Sequence, residues 1–259
     1  MTDLSARFPR ASGRISLVGA GPGAADLLTV RALRCLQAAD VVLHDRLVTE
    51  EVLALIPPAT RRIPVGKEVG ANAWPQDRIT ALMLTEAVEG RHVVRLKSGD
   101  PAIFARAAEE IDAASALGIA VEIVPGITAA SAAAASLGRP LTARGTAQRL
   151  LFVTATDEAD RVTNLPLPEG TTLALYMASR KAAEIEAALL GQGADPDAEV
   201  VAVCRASQPD EHIHRCRLSG MAQSLGSDPK VTPPCVILIG QSLAQGVADA
   251  EATDAAQAR

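Results

Sequence analysis

The chain has 259 residues, 48% of them hydrophobic and 21% charged, with a formal net charge of −5. That composition is globular, long enough for one large domain or two of ordinary size, and its acidity offers no footprint for nucleic acid. No apolar run approaches the ~20 residues that cross a bilayer, and the N-terminal MTDLSARFPRASGR lacks the apolar core of a secretory signal.

Residues 1–13 read as a polar, flexible lead. Residues 15–18 form a short apolar strand that runs into Gly19-Ala20-Gly21-Pro22-Gly23. After Asp26 comes a helix carrying Leu27, Val30, Leu33 and Leu36 at helical spacing. The next strands are 41–43, followed by Asp45-Arg46, and 63–65, followed by Gly66-Lys67. Residues 75–88 form a helix with Ile79, Leu82, Met83 and Val88 as its apolar positions and Gly90 as its stop. Then comes the stretch 92–110, the focus of the chain. Val93, Val94 and Leu96 make a strand that ends in Lys97-Ser98-Gly99-Asp100-Pro101, and a helix opens with Arg106, Glu109 and Glu110. Pro101 has no N–H to continue a ladder, and Gly99 lets the backbone turn and a ligand approach. Open α/β sheets bind ligands at such carboxyl ends. A strand at 119–124 leads into Pro125-Gly126-Ile127-Thr128, and 129–137 is an Ala-rich helix stopped by Gly138.

Five strands alternating with helices or loops predict a mostly parallel α/β sheet. Residues 139–148 read as a connector. A second unit follows, with strands at 150–154, 173–177, 200–204 and 236–239, a helix at 182–190, and a hairpin strand at 212–218. Two domains are expected, 14–138 and 149–245, with flexible tails at 1–13 and 246–259.

Gly19-x-Gly21-x-x-Ala24, with Asp45 about twenty residues on, satisfies a relaxed dinucleotide pattern. Pro22 argues against it, because it removes an N–H that would cradle a pyrophosphate. The four cysteines, Cys35, Cys204, Cys216 and Cys235, contain no C-x-x-C pair, which argues against a zinc knuckle and fits a reducing cytoplasm. His212 and His214 share one face of a strand, but no third ligand is evident beside them, so no metal is expected. Trp74 and Phe104 read as packing residues.

Several ordered motifs resemble one family. They are Val18-Gly19-Ala20-Gly21-Pro22-Gly23, His44-Asp45-Arg46-Leu47-Val48, Gly66-Lys67, Arg95-Leu96-Lys97-Ser98-Gly99-Asp100-Pro101, Arg106-x-x-Glu109-Glu110 and Val124-Pro125-Gly126-Ile127-Thr128-Ala129-Ala130. Together they resemble the tetrapyrrole methylases, over residues 13–243. The resemblance implies the two-domain α/β fold of class III methyltransferases, with a mostly parallel first sheet and a mixed second one. It implies an active site in the cleft between the domains, a homodimer, and S-adenosylmethionine as methyl donor. The implied reaction is methylation of uroporphyrinogen III at carbons 2 and 7, giving precorrin-2 by way of precorrin-1. By motif position the donor-binding residues fall on Pro22, Ser98, Gly99, Asp100, Ile103, Thr128, Ala129 and Met177, with Ala206 as an addition. The family's proton acceptor falls on Asp45 and its proton donor on Lys67, and Arg106, Glu109 and Arg144 match substrate positions.

The chemistry agrees with that reading. Methyl transfer from a sulfonium is an in-line displacement that needs alignment and a dry site. A pyrrole carbon that attacks must then lose a proton, for which Asp45 at a strand end suits as base; a helix cap or turn is its plainer role. Eight substrate carboxylates call for arginines, and Arg46, Arg106, Arg144 and Arg149 are the candidates, each equally readable as a solvated surface residue. Lys67 works as a carboxylate clamp, or as a proton donor if burial lowers its pKa. Glu109 sits where it would fix the Arg106 fork across one helical turn. Ser98, Ala105, Ala107, Ala108, Ala143 and Ala155 depart from the family pattern, and the three alanines beside Arg106 are expected to add methyl groups to a closely packed region. The readings that compete are a methylase of a later corrin intermediate or of the haem d1 branch, an NAD oxidoreductase, and a tetrapyrrole-binding protein without activity.

Overall fold

The computed structural model describes residues 13–66, 74–157, 161–162, 165 and 167–240. It divides into two compact units, Met1–Ala129 and Ala130–Arg259. The sequence reading sets its boundary later, across 139–148. The two expected tails, apart from the buried Gly13, and Lys67 lie outside the described residues.

The first unit is a wound α/β sheet. Its strands are β1 (Arg14–Gly19), β2 (Val41–His44), β3 (Arg61–Pro64), β4 (His92–Lys97) and β5 (Ala120–Val124), and its helices are α1 (Val30–Gln37), α2 (Glu50–Leu53), α3 (Gln76–Val88) and α4 (Ala107–Ala116). The strand order is β3-β2-β4-β1-β5, and every pairing is parallel. Central parallel strands are covered on both faces, so their side chains divide by parity between two cores. Val18, Val94 and Leu96 pack with Leu36 and Val52 on one face. Ile15, Leu17, Leu43 and Val93 pack with Met83 and Ala114 on the other.

Local chemistry shifts two expected helix details. A short 3₁₀ turn spans Ala25–Leu27, and α1 starts at Val30 because Thr29 caps it, its Oγ1 accepting the Ala32 N–H at 3.1 Å. The core face of α1 is therefore Ala32 and Leu36, and Val30 is exposed. Val88 likewise points outward at the end of α3, where Ile79, Met83, Glu86 and Ala87 are the buried positions.

The second unit holds α5 (Ala129–Ser136), which begins at the last residue of the first, then β6 (Arg149–Thr154), β7 (Thr171–Tyr176), α6 (Ala182–Gly191), β8 (Glu199–Cys204), β9 (His212–Arg217), α7 (Met221–Ser227) and β10 (Cys235–Ile239). The sheet is mixed, in the order β6-β7-β10-β8-β9. β6 and β7 are parallel, and β10 lies antiparallel between β7 and β8. β9 is the antiparallel edge partner of β8, as the alternating pattern of 212–218 predicts. Leu173, Leu175, Val200 and Ile237 meet Ile185, Leu189 and Leu225 in its core. No helix among the described residues is long and apolar enough to cross a membrane.

Candidate active site

Because β4, β1 and β5 are parallel neighbours, the loops at their carboxyl ends share one edge of the first sheet. All three loops carry glycine, and the backbones interlock. Gly99 N–H donates to Gly21 O at 2.8 Å, Gly21 N–H returns to Gly99 O at 3.2 Å, and Ala20 N–H donates to Lys97 O at 2.7 Å. Asp100 ties in the third loop: its Oδ2 accepts the Gly126 N–H at 3.1 Å and its Oδ1 the Ala102 N–H at 2.7 Å. Glycine is required sterically at the crossing, since a Cβ on Gly126 would lie 2.2 Å from the Gly99 carbonyl oxygen. Gly99 itself turns with φ +70°, and a Cβ there would meet nothing within 4 Å. The cradle is thus closed on its backbone side and open beside Gly99.

Seven sequence-predicted residues fall on these loops. Pro22, Ser98, Gly99, Asp100 and Ile103 are half-buried, Thr128 is buried, and Ala129 begins α5. Met177 and Ala206 belong to the second unit, just past the ends of β7 and β8. Those two strands run parallel to each other, each antiparallel to β10, so both residues sit on one edge of that sheet. Met177 is exposed and left-handed at φ 57°, while Ala206 is buried between left-handed Arg205 and Ser207.

The cradle suits a ligand met by backbone atoms better than a pyrophosphate. A dinucleotide loop must open a helix whose free N–H groups face the phosphates. Here the glycine loop leads into a 3₁₀ turn, and α1 begins only at Val30.

A buried charge chain lies behind the cradle. Arg95 and Lys97 alternate with Val94 and Leu96 on β4 and are both buried. Glu110, wholly buried in the first turn of α4, accepts from Lys97 Nζ at 2.8 Å, Arg95 Nε at 3.2 Å and Gln76 Nε2 at 3.0 Å. Arg95 Nη2 also donates to Asp45 Oδ1 at 2.5 Å. Asp45, Arg95, Glu110 and Lys97 therefore alternate in sign and sum to zero, the arrangement that lets buried charges persist. Burial, and then the Arg95 guanidinium, push the Lys97 ammonium pKa down, against the pull of Glu110. Sequence reasoning missed this network. Its signal was two cations inside an otherwise apolar parallel strand, with a carboxylate one turn into the following helix.

The family model for the tetrapyrrole (corrin/porphyrin) methylases matches residues 14–222. The chain belongs to the tetrapyrrole methylase family. It is 45% identical over 242 residues to the uroporphyrinogen-III C-methyltransferase of Paracoccus denitrificans, covering 92% of this chain and 84% of the relative. It is 44% identical to siroheme synthase 1 of Klebsiella pneumoniae over 90% of this chain, but spans only 49% of that protein's length. The Thermus thermophilus uroporphyrin-III C-methyltransferase, solved in complex with S-adenosylhomocysteine, matches with TM-score 0.77 and 39% identity over 89% of this chain and 99% of that one. The chain therefore has the α/β fold with one parallel and one mixed sheet that tetrapyrrole methyltransferase structures share.

The remaining family positions divide by exposure. Arg106 does not open a helical turn as expected but caps α4 in the left-handed region at φ 54°, and the helix begins at Ala107. Its fork holds Glu109 bidentately, Nε to Oε1 and Nη2 to Oε2, each at 2.7 Å, with both residues exposed. That contact holds the Glu109 carboxyl below the usual range. Phe104 is exposed and also left-handed at φ 50°, so it is not the packing residue expected. A left-handed backbone costs a non-glycine residue roughly 1–2 kcal/mol, a strain that gathers at working loops. Of the three alanines beside Arg106, only Ala107 enters the core, and the Ala108 methyl faces solvent. Trp74 does pack, beneath the Arg78 guanidinium at 4.0 Å. Arg46 is exposed after β2, with the Gly66 backbone pressed against it. Arg144 is exposed in the short turn closed by the Ala143–Ala147 bridge. Arg149 is exposed too and donates to Glu169 O at 3.0 Å. Finally, His212 and His214 do have a third potential ligand: Asp228, brought beside them by α7, which the sequence reading did not foresee.

Proposed function

We propose that this tetrapyrrole methylase transfers methyl groups from S-adenosylmethionine to carbons 2 and 7 of uroporphyrinogen III, giving precorrin-2 by way of precorrin-1 for siroheme or cobalamin synthesis. The observation that carries the reading is the interlocked glycine cradle of Gly21, Gly99 and Gly126, open beside Gly99, in a chain 45% identical to an enzyme named for C-methylation of uroporphyrinogen III. The donor supplies an electrophilic methyl carbon. Pro22, Ser98, Gly99, Asp100, Ile103, Thr128 and Ala129 hold and orient it; Met177 and Ala206, carried by the second unit, match further donor-binding positions of the family. Asp45 takes the proton that the methylated pyrrole carbon must lose, and Arg95 keeps that carboxylate aimed. Arg46, Arg106, Arg144 and Arg149 bind substrate carboxylates, with Glu109 presenting the Arg106 fork. Lys67 serves as a further carboxylate clamp. The enzyme works as a homodimer in the cytoplasm.

Transfer of labelled methyl groups to uroporphyrinogen III tests the reading. Two methyls per tetrapyrrole is the expected end point. A single methyl, or none at donor concentrations that saturate binding, overturns it, and light scattering that gives a monomer mass overturns the dimer.

A further inference from the structure

We propose that His212, His214 and Asp228 form a binding site for a divalent transition-metal ion of the zinc class, on the edge of the second sheet and independent of the methyl-transfer chemistry. The two histidines are two apart on β9, so both rings leave the same face of the edge strand. Asp228 follows the last residue of α7, and its Oδ2 lies 2.7 Å from His212 Nε2 and 2.8 Å from His214 Nδ1. One ligand atom from each residue lies within 4.8 Å of the others.

The surroundings are those of a supported ligand set. Metal-bound histidines usually donate their second ring nitrogen to a fixed oxygen. His214 has this partner, its Nε2 lying 2.8 Å from Ser224 Oγ. Ligand carboxylates are likewise held from behind, and Asp228 Oδ1 accepts the Lys230 backbone N–H at 2.9 Å. No lysine or arginine among the described residues ion-pairs with Asp228, whose side-chain partners there are the two imidazoles. The Asp228 carboxylate thus stands at a half-buried site with no lysine or arginine among the described residues to pair with it. A divalent cation answers that charge.

The geometry needs small adjustments. Tetrahedral zinc with bonds of about 2.0–2.1 Å sets its ligand atoms roughly 3.3 Å apart. Asp228 would withdraw by about half an ångström from its present hydrogen-bonding distances, and the imidazoles would draw together by side-chain rotation. Two nitrogens and one carboxylate oxygen suit zinc, and also cobalt, nickel or copper, but not calcium or magnesium. Three protein ligands leave one position for water. Bound metal would tighten the tie between β9, the edge partner of β8, and the end of α7, which the His212 and His214 hydrogen bonds already make.

Zinc titration of the full-length chain after chelator treatment, followed by imidazole NMR, tests the site. The chain has four histidines, which makes the spectrum assignable. The expected result is saturation at about one zinc per chain, with the His212 and His214 resonances moving to metal-bound positions while those of His44 and His92 stay. Calcium and magnesium should leave the spectrum unchanged. Asp228→Ala should weaken zinc more than about 100-fold, and Ser224→Ala, which removes only the outer partner, about 10-fold. Saturable zinc binding that leaves both resonances in place, or no saturation below millimolar zinc, overturns the proposal and leaves the cluster a hydrogen-bond network. The NMR result on the unaltered protein decides even if Asp228→Ala fails to fold.

Discussion

Arg95 reaches from full burial to hold Asp45, Nη2 to Oδ1 at 2.5 Å, while the Asp45 side chain remains about a third exposed. One guanidinium therefore spans the interior and the rim, because its Nε is already committed to Glu110 at 3.2 Å. An arginine fork fixes a carboxylate's direction as well as its charge. Asp45 is thus an anchored acid at the end of β2, beside the backbone turn in which the Val48 N–H donates to its carbonyl at 3.2 Å.

If Asp45 is the base, Asp45→Ala should lower turnover by about 10²–10⁴-fold. Donor affinity, read by calorimetry with S-adenosylhomocysteine, should change no more than a few-fold. Equal losses in the two measurements would remove Asp45 from the chemistry.

Glu110→Ala leaves Arg95 and Lys97 buried without their shared acceptor. Breaking a buried pair from one side costs about 3–5 kcal/mol, since the remaining charge has no solvent to return to. Urea denaturation should show that loss. The double change Glu110→Leu with Lys97→Met removes one charge of each sign and should recover much of it. A Glu110→Ala protein as stable as the parent would mean water reaches the pair.

Two glycines of the cradle should respond differently to alanine. At Gly126 the new methyl meets the Gly99 carbonyl at 2.2 Å, so the loops must part, and both stability and donor binding should fall. At Gly99 the new methyl meets no protein atom within 4 Å, and only the left-handed backbone resists, at about 1–2 kcal/mol. Gly99→Ala should therefore fold yet bind donor poorly, because its methyl enters the open side. Unchanged donor affinity would place the donor elsewhere.

Glu109 provides a pH test. The Arg106 fork lowers its pKa in the folded chain, so folding favours the ionised form. Such a contribution is fully present above the ordinary glutamate pKa of about 4.3 and is lost as pH falls through the lower folded value. Denaturation of the parent and of Glu109→Gln should differ at neutral pH, and the two should converge in acid. A difference that grows on acidification would contradict the sign. Both groups are exposed, so the effect should also shrink in high salt.

Periodicity and punctuation made the fold legible. The largely apolar runs of β1, β2, β4 and β5, each ended by a glycine, proline or charged turn, announced a parallel sheet, because strands covered on both faces are apolar along most of their length. Glycines at 19, 21, 99 and 126 marked the working edge for local reasons: at 19 and 126 only a residue without Cβ lets the backbones cross, and at 21 and 99 the chain turns with left-handed φ of +71° and +70°. The helix expected after Asp26 starts instead at Val30, because Thr29 accepts the Ala32 N–H and caps it there.

What the tertiary structure alone decided was pairing between residues distant in the chain. The place of Arg95 and Lys97 in an apolar strand hinted at burial, but their partners were named only when α4 delivered Glu110 and β2 delivered Asp45. His212 and His214 gained Asp228 only because α7 folds back beside β9. Strand and helix patterns are written in neighbouring residues, so they can be read in order. The cost of a buried charge depends on what packs against it, and that is settled only when the chain closes on itself.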